Sequence, residues 1–366
     1  MSNVRDIIVI GGGMAGVSAA ALLSEHAQVT VLEAEPHLAY HSTGRSAALF
    51  IRNYGNDTLR KLNALAYPVL SGQTAEDSVL SPRGELIVAQ EHELEMLDEY
   101  LKNAVGVDRL SPDEAKELVP VLKKDQIAAA FVERDAQDID VDRLLQNYAR
   151  LLRTRGGEVI TGQAVRSIKR NQDHWIVQTA SATLTAGLIV NAAGAWADEV
   201  ATLAGVAQVG LQPMRRSAVV MAIPDELGDI RHWPLFGSIS EGWYAKPSGS
   251  GLMVSPADED PVSPHDVWPD DMVLAEGLDR FEQMVDIPIV RPSHSWAGLR
   301  TFAADRTPVV GFAEDAKGFF WLAGQGGYGI QTAPALAALT RDLYLGVPPD
   351  ISQDVIASLS PTRFHR

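Results

Sequence analysis

Residues 7–23 read Ile7-Ile8-Val9-Ile10-Gly11-Gly12-Gly13-Met14-Ala15-Gly16-Val17-Ser18-Ala19-Ala20-Ala21-Leu22-Leu23, seventeen positions without a charge. Hydropathy alone would make this a signal peptide or a membrane span, and neither fits. A signal core lacks a glycine triplet and follows a basic leader, whereas Asn3-Val4-Arg5-Asp6 carries one charge of each sign. A spanning helix needs about 20 apolar residues, and three successive glycines would break it. The pattern instead predicts a short buried strand over 7–10, a tight turn and an Ala-rich helix over 15–24. In Gly11-x-Gly13-x-x-Gly16, Gly11 permits the turn, Gly13 lets a pyrophosphate reach the backbone and Gly16 lets the helix pack on the strand. Met14 and Ala15 open that helix, whose N-terminus faces the phosphates. A second strand over 29–32 ends at Glu33, 22 positions after Gly11 and close to the roughly 20 typical of the acid that accepts ribose hydroxyls. Together these features predict dinucleotide binding without separating NAD from FAD, and the acid disfavours a 2′-phosphate.

The rest of the 366 residues narrows the choice. Apolar residues make up 46% and charged residues 21%, as in ordinary globular proteins, and the length suits two domains or one large one. With 31 Lys and Arg against 47 Asp and Glu, the net charge of −16 repels nucleic acid and anionic lipid. The chain has no cysteine, which removes disulfides, thiolate metal sites, iron–sulfur clusters and catalytic thiols. Its nine histidines show no metal-ligand spacing, so no metal is expected. Redox chemistry would have to come from a bound cofactor.

Three further segments favour FAD. Tyr40-His41-Ser42-Thr43-Gly44-Arg45-Ser46-Ala47 is a small polar turn, expected to lead into a helix, that offers hydroxyls and amides to phosphates or a ribityl chain. Residues 186–195 read as a buried strand ending in a small-residue turn, with a helix following through Trp196. Residues 319–332, FFWLAGQGGYGIQT, repeat strand, Gly-rich turn and helix, and the open amides suit a reduced flavin's negative charge. A nicotinamide enzyme has no need of three such turns.

With HSTGRSAA at 41–48, NAAGAWAD at 191–198, LQPMRRSA at 211–218, WAGLRTF at 296–302 and QGGYGIQT at 325–332, the sequence resembles the D-amino acid oxidase and glycine oxidase (DAO) family of FAD-dependent oxidoreductases. Within that family it is similar to the bacterial D-arginine dehydrogenases, from Asp6 to about Leu345. The resemblance implies an FAD site formed by Gly11, Gly13, Met14, Ala15, Gly16, Glu33, Ser42, Thr43, Arg45, Ser46, Ala47, Val165, Ala193, Gly194, Trp196, Gly326, Gly327, Tyr328, Gly329, Ile330 and Gln331. The motif around His41 differs from that of amine oxidisers that attach flavin through histidine, so non-covalent FAD is expected.

Flavin oxidation of an amine needs substrate orientation and exclusion of water more than a catalytic triad. Arg300, a charge on a short apolar strand, is either a carboxylate-binding fork or half of a structural ion pair, and the resemblance favours the fork. Arg216 opens the next candidate strand, with Arg215 on its other face, and the resemblance places Arg216 beside the substrate. Tyr54 and Tyr244 match pocket positions of the family, although each can also be read as a core aromatic with a polar tip. Glu85 at a strand mouth matches the acid that faces a cationic substrate end, and a solvated edge acid is the alternative. Gly327 and Tyr328 complete the implied pocket. Leu49 stands where the resembled dehydrogenase has histidine, and Leu235 and Gly237 replace other apolar residues, which loosens the arginine assignment.

The expected fold is α/β: a Rossmann-like FAD-binding domain (1–85, 138–208 and 301–366) interwoven with an α+β substrate domain (86–137 and 209–300) on a largely antiparallel sheet. The expected enzyme is a D-amino acid dehydrogenase for a basic, D-arginine- or D-lysine-like substrate, forming an imino acid that water hydrolyses to 2-oxo acid and ammonia. A quinone or other acceptor is favoured over oxygen. The alternatives are a flavin oxidase of glycine, sarcosine or other secondary amines, a 2-hydroxy acid dehydrogenase using His232 or His294, and a non-catalytic flavoprotein. The partner is a small-molecule substrate rather than nucleic acid, with no transmembrane segment. The expected location is the cytoplasm, with peripheral attachment to the inner membrane left open.

Overall fold

Strand Val4–Ile10 lies at the centre of an eight-stranded sheet, with Val29–Leu32 on one side and Thr183–Asn191 on the other, all parallel. Its residues alternate between two cores, with Ile7 and Val9 on one face and Ile8 and Ile10 on the other. Burial on both faces is why the strand reads as an uninterrupted β-branched run. Glu158–Ile160 adds a parallel edge beyond Val29–Leu32. The far side of Thr183–Asn191 is shared: its first half carries the antiparallel strands His174–Gln178 and Ser167–Asn171, and its second half pairs in parallel with Phe319–Ala323. Helices Met14–Leu23, Val141–Thr154 and Ala333–Leu345 cover one face, where Ala19, Ala20 and Ala21 allow close packing. Helix Ala197–Ala204 covers the other. The computed structural model describes residues 4–74, 77–249 and 251–364.

A nine-stranded sheet faces this layer and is antiparallel except for one pair, Leu235–Ser238 with Glu85–Ala89. Its longest strand, Gln212–Met221, pairs with Gly251–Ser255 and with His294–Phe302. Along Glu85–Ala89, Leu86 and Val88 enter a core with Phe236, Trp243 and Phe281, while Glu85 and Ile87 face a large cavity. Helix Asp271–Met284 packs against that core. A small sheet of Leu49–Phe50, Leu80–Pro82 and Gln137–Ile139 marks where the chain crosses between the two larger ones. Among the described residues no helix is long and apolar enough to cross a membrane.

Three local expectations are corrected. The segment after the 41–45 turn is not helical: Ala48 has φ +55°, and the chain then pairs with Gln137–Ile139. The strand carrying Arg216 begins at Gln212 rather than after that residue, so Arg216 sits mid-strand, opposite Gly298. The helix after the last glycine-rich turn begins only at Ala333, because residues 326–332 form a turn that packs across the cavity.

Candidate active site

One cavity of about 610 Å³ runs from the first glycine turn to the nine-stranded sheet. At one end are Gly11, Gly13, Met14 and Ala15. A Cβ on Gly11, whose φ is +114°, would collide with the Ala192 carbonyl, and one on Gly16 with the Gly11 carbonyl. Gly16 is therefore a packing glycine behind the cavity rather than part of its lining. Glu33 is held in place by N–H donors from Gly12 at 2.5 Å and Glu35 at 2.8 Å, one on each carboxylate oxygen. Each oxygen keeps a second acceptor site, as binding a ribose hydroxyl would require.

The 41–46 turn is fastened to its surroundings. Thr43 Oγ1 accepts the Met14 N–H at 3.1 Å, and Ser42 donates to the Leu299 carbonyl at 2.5 Å. Arg45 lines the cavity, but its guanidinium is engaged by Asp266 at 2.6 Å and the Ala297 carbonyl at 2.9 Å. It braces the turn against strand His294–Phe302, a role the sequence reading did not assign to it. His41 Nε2 lies 2.9 Å from Glu35 Oε1, and its ring packs against Trp196 at 4.6 Å. Ser46, Ala47, Val165, Ala193, Gly194 and Trp196 complete this wall. On the last turn Gly326, Gly327, Gly329, Ile330 and Gln331 face the cavity, and Gln331 Oε1 accepts the Ile51 N–H at 3.1 Å.

The far end gathers the charged and phenolic candidates. Arg300 Nη1 donates to the Tyr54 hydroxyl at 3.2 Å. A Cβ on Gly327 would stand 2.9 Å from that nitrogen, so the glycine makes room for the guanidinium. Burial works against the Arg300 charge, but Tyr54 and Tyr244 outweigh it and hold the group above its ordinary pKa. Burial likewise pushes the Tyr54 phenol up. For Tyr244 burial is overcome by Arg300 and Arg216, which hold its phenol below the ordinary value. Arg216 is 8% exposed and donates Nε to the Asp258 carbonyl at 2.9 Å and Nη2 to Glu259 at 3.0 Å. Arg215 turns away to Asp260 at 2.6 Å, on the opposite face as its position predicts.

Glu85 also lines this end and is 8% exposed, and among the described residues its carboxylate has no hydrogen-bond partner. Burial, then the nearby Glu133 and Glu241, raise its pKa to about 8. Leu49, Leu235 and Gly237 lie on the same wall. Tyr328 does not: it sits in the core behind Tyr54, with ring centroids 4.7 Å apart. Sequence reasoning missed Ala48, Ile87, Tyr100, Phe131 and Glu241, all on the lining. Strand alternation from Glu85 would have found Ile87. Tyr100 and Phe131, stacked at 4.7 Å, come from elements distant in sequence and carry no local signal.

A family model described as "FAD dependent oxidoreductase" (DAO) matches residues 6–343. The chain belongs to this family. Among curated relatives, it is 26% identical to the mitochondrial dimethylglycine dehydrogenase of Rattus norvegicus over 98% of this chain but 45% of that protein, so it spans less than half of that relative's length. It is 25% identical to the glycine oxidase of Bacillus licheniformis over 95% of both chains. The glycine oxidase structure from Geobacillus kaustophilus superposes with a TM-score of 0.83 at 21% identity, covering 99% of each chain, which shows a common fold. As a member of this family of FAD-dependent oxidoreductases, the chain has FAD as its cofactor. The cavity fits that cofactor: close-packed glycine backbone and the opening turn of helix Met14–Leu23 lie at one end, and Glu33 is poised to accept ribose hydroxyls.

Proposed function

We propose that this DAO-family chain is an FAD-dependent dehydrogenase that oxidises a D-amino acid with a cationic side chain to the imino acid, which water hydrolyses to the 2-oxo acid and ammonia. The observation that carries the reading is the Glu85 carboxylate, buried on the cavity wall without a hydrogen-bond partner. Glu85 opens onto the cavity with no protein group committed to its oxygens, so a ligand bearing a cation can bind and ionise it there. A guanidinium or ammonium does so with charge-assisted hydrogen bonds. The D configuration rests on the sequence resemblance.

Arg300 takes the substrate carboxylate, with Arg216 adding positive potential and Tyr54 and Tyr244 donating phenolic hydrogen bonds. Fixing the carboxylate at one end and the cationic tail at Glu85 holds the α-carbon between them, which lowers the entropic cost of reaching the reactive geometry. Leu49, Leu235 and Ile87 exclude water. FAD supplies the two-electron acceptor for the α-carbon hydrogen when bound. The amine loses its proton before or with that step. FAD is held without a covalent link, since the motif around His41 differs from that of amine oxidisers that attach flavin through histidine. The electron acceptor is a quinone or other small carrier, and the enzyme works in the cytoplasm.

The names of the curated relatives favour a second reading, oxidation of glycine- or sarcosine-type amines. Such small substrates would use the carboxylate clamp and leave Glu85 without a partner. Anaerobic mixing with a panel of amino acids and N-methylglycines, following flavin absorbance, separates the two. Bleaching by D-arginine and D-lysine but not their L-forms supports the first reading. Bleaching mainly by sarcosine, dimethylglycine or glycine overturns it in favour of the second.

A further inference from the structure

Glu259 does not line the cavity, yet one of its oxygens, Oε1, accepts from Arg216 Nη2 at 3.0 Å and from Arg306 Nη2 at 2.8 Å. Arg216 is buried, Glu259 partly exposed and Arg306 46% exposed, so the three charges form a chain from the cavity wall to the surface. The outer end is ordered: the Arg306 guanidinium lies over the Phe302 ring at 3.9 Å, and its backbone has φ +57°. Burial would push the Glu259 carboxyl up, but Arg306, Arg216 and Arg300 hold it below its ordinary value, and it stays ionised at neutral pH. The mechanism above uses Arg216 and leaves Glu259 and Arg306 without a role.

We infer that Glu259 is a specificity-determining residue that pairs with Arg216 and so limits the carboxylate clamp to one anionic charge. Arg216 and Arg300 line this end of the cavity together with Glu241, and Arg306 lies half-exposed behind Glu259. Without Glu259 the buried Arg216 would stand uncompensated beside Arg300, and such a clamp would favour ligands bringing two carboxylates over those bringing one, because an unpaired buried cation is costly and a second anion relieves that cost. Glu259 supplies that second anion from within the protein. It thereby discriminates against dicarboxylates by making their extra charge redundant and repelled. The inference rests on the reading of Arg300 and Arg216 as the carboxylate clamp.

The test uses the FAD-loaded enzyme and two unreactive probes, acetate and malonate, titrated against the flavin absorbance at fixed ionic strength. Glu259→Gln keeps the shape and an acceptor oxygen for Arg216 while removing the charge. The expected result is a rise of about tenfold or more in the affinity for malonate relative to acetate, the change in ratio produced by one uncompensated charge at close range. Arg306→Met, altered at the exposed end of the chain, moves the ratio the opposite way and keeps the test decisive if the Gln variant loses FAD. A ratio unchanged within about twofold in the variant that retains FAD overturns the inference. If neither probe perturbs the wild-type flavin spectrum, the clamp reading itself has failed, a separate outcome that overturns this inference with it.

Discussion

At the residue scale, Glu85 sets the pH behaviour of the pocket. An ordinary glutamate titrates near 4.5, and burial with Glu133 and Glu241 nearby raises this one to about 8. Between those values the folded, ligand-free protein holds a proton that the unfolded chain has released. Stability then falls as pH rises through this window and levels off above about 8. A cationic ligand reverses the preference, since it needs the carboxylate ionised. Binding of D-arginine at pH 7 therefore releases a proton, and its affinity climbs with pH up to about 8, whereas a neutral D-amino acid shows no such climb. Glu85→Gln removes the slope for D-arginine. Titrations from pH 6 to 9, followed by flavin perturbation under anaerobic conditions, check this. Parallel pH profiles for charged and neutral ligands would remove Glu85 from the site.

At the element scale, the turn 326–332 carries the next prediction. A Cβ on Gly327 would lie 2.9 Å from Arg300 Nη1 and 3.0 Å from Cζ, and the guanidinium, as the end of a flexible side chain, is what must yield. Gly327→Ala is expected to fold and retain FAD while raising KM by about ten- to a hundredfold, the scale set by an ångström of misplacement. Anaerobic reduction kinetics give KM and the limiting rate separately, and an unchanged KM would mean Arg300 does not hold the carboxylate. This turn also shows where the sequence was legible. Local signals carried the cofactor end of the fold: the glycine triad, the buried run 7–10 and the strand 29–32 ending at Glu33 all follow from contiguous residues. The 40–47 segment is the turn its Gly44 and small polar residues indicate, and the stretch after it misled because its course is set from a distance. Ala47, Ala48, Leu49 and Phe50 carry no local breaker, but Lys246 holds the Ala47 carbonyl at 2.7 Å and Ile139 N–H holds that of Ala48 at 2.9 Å, which favours strand over helix. Arg45 was legible as a charge near the cofactor end, but its partners Asp266 and Ala297 lie more than 200 positions away.

At the scale of the whole molecule, the two large sheets must keep their relative placement, because the cofactor end of the cavity belongs to one and the clamp to the other. Charges that tie the crossover strand Gln137–Ile139 to the nine-stranded sheet meet at Asp138. One carboxylate oxygen takes Arg83 at 2.6 Å and the other Lys246 at 2.7 Å, with all three side chains less than one-fifth exposed. Arg83 reaches on to the carbonyls of Arg231 at 2.7 Å and Trp233 at 2.8 Å, and Lys246 to that of Ala47. A single acid thus ties the crossover to the loop before Leu235–Ser238, to the strand carrying Tyr244 and to the cavity wall at Ala47. Removing it leaves two half-buried cations facing each other with only backbone carbonyls as partners. Asp138→Ala is therefore expected to lower stability by about 2 to 4 kcal/mol. It should also slow flavin reduction by saturating substrate, since the 47–49 wall loses its brace while Arg300 and Glu85 are untouched. Thermal unfolding of the FAD-loaded protein and single-turnover reduction measure the two effects. A variant that is less stable but reduces its flavin at the wild-type rate would make Asp138 a fold-level strut alone, and a variant of unchanged stability would mean that water replaces the triad.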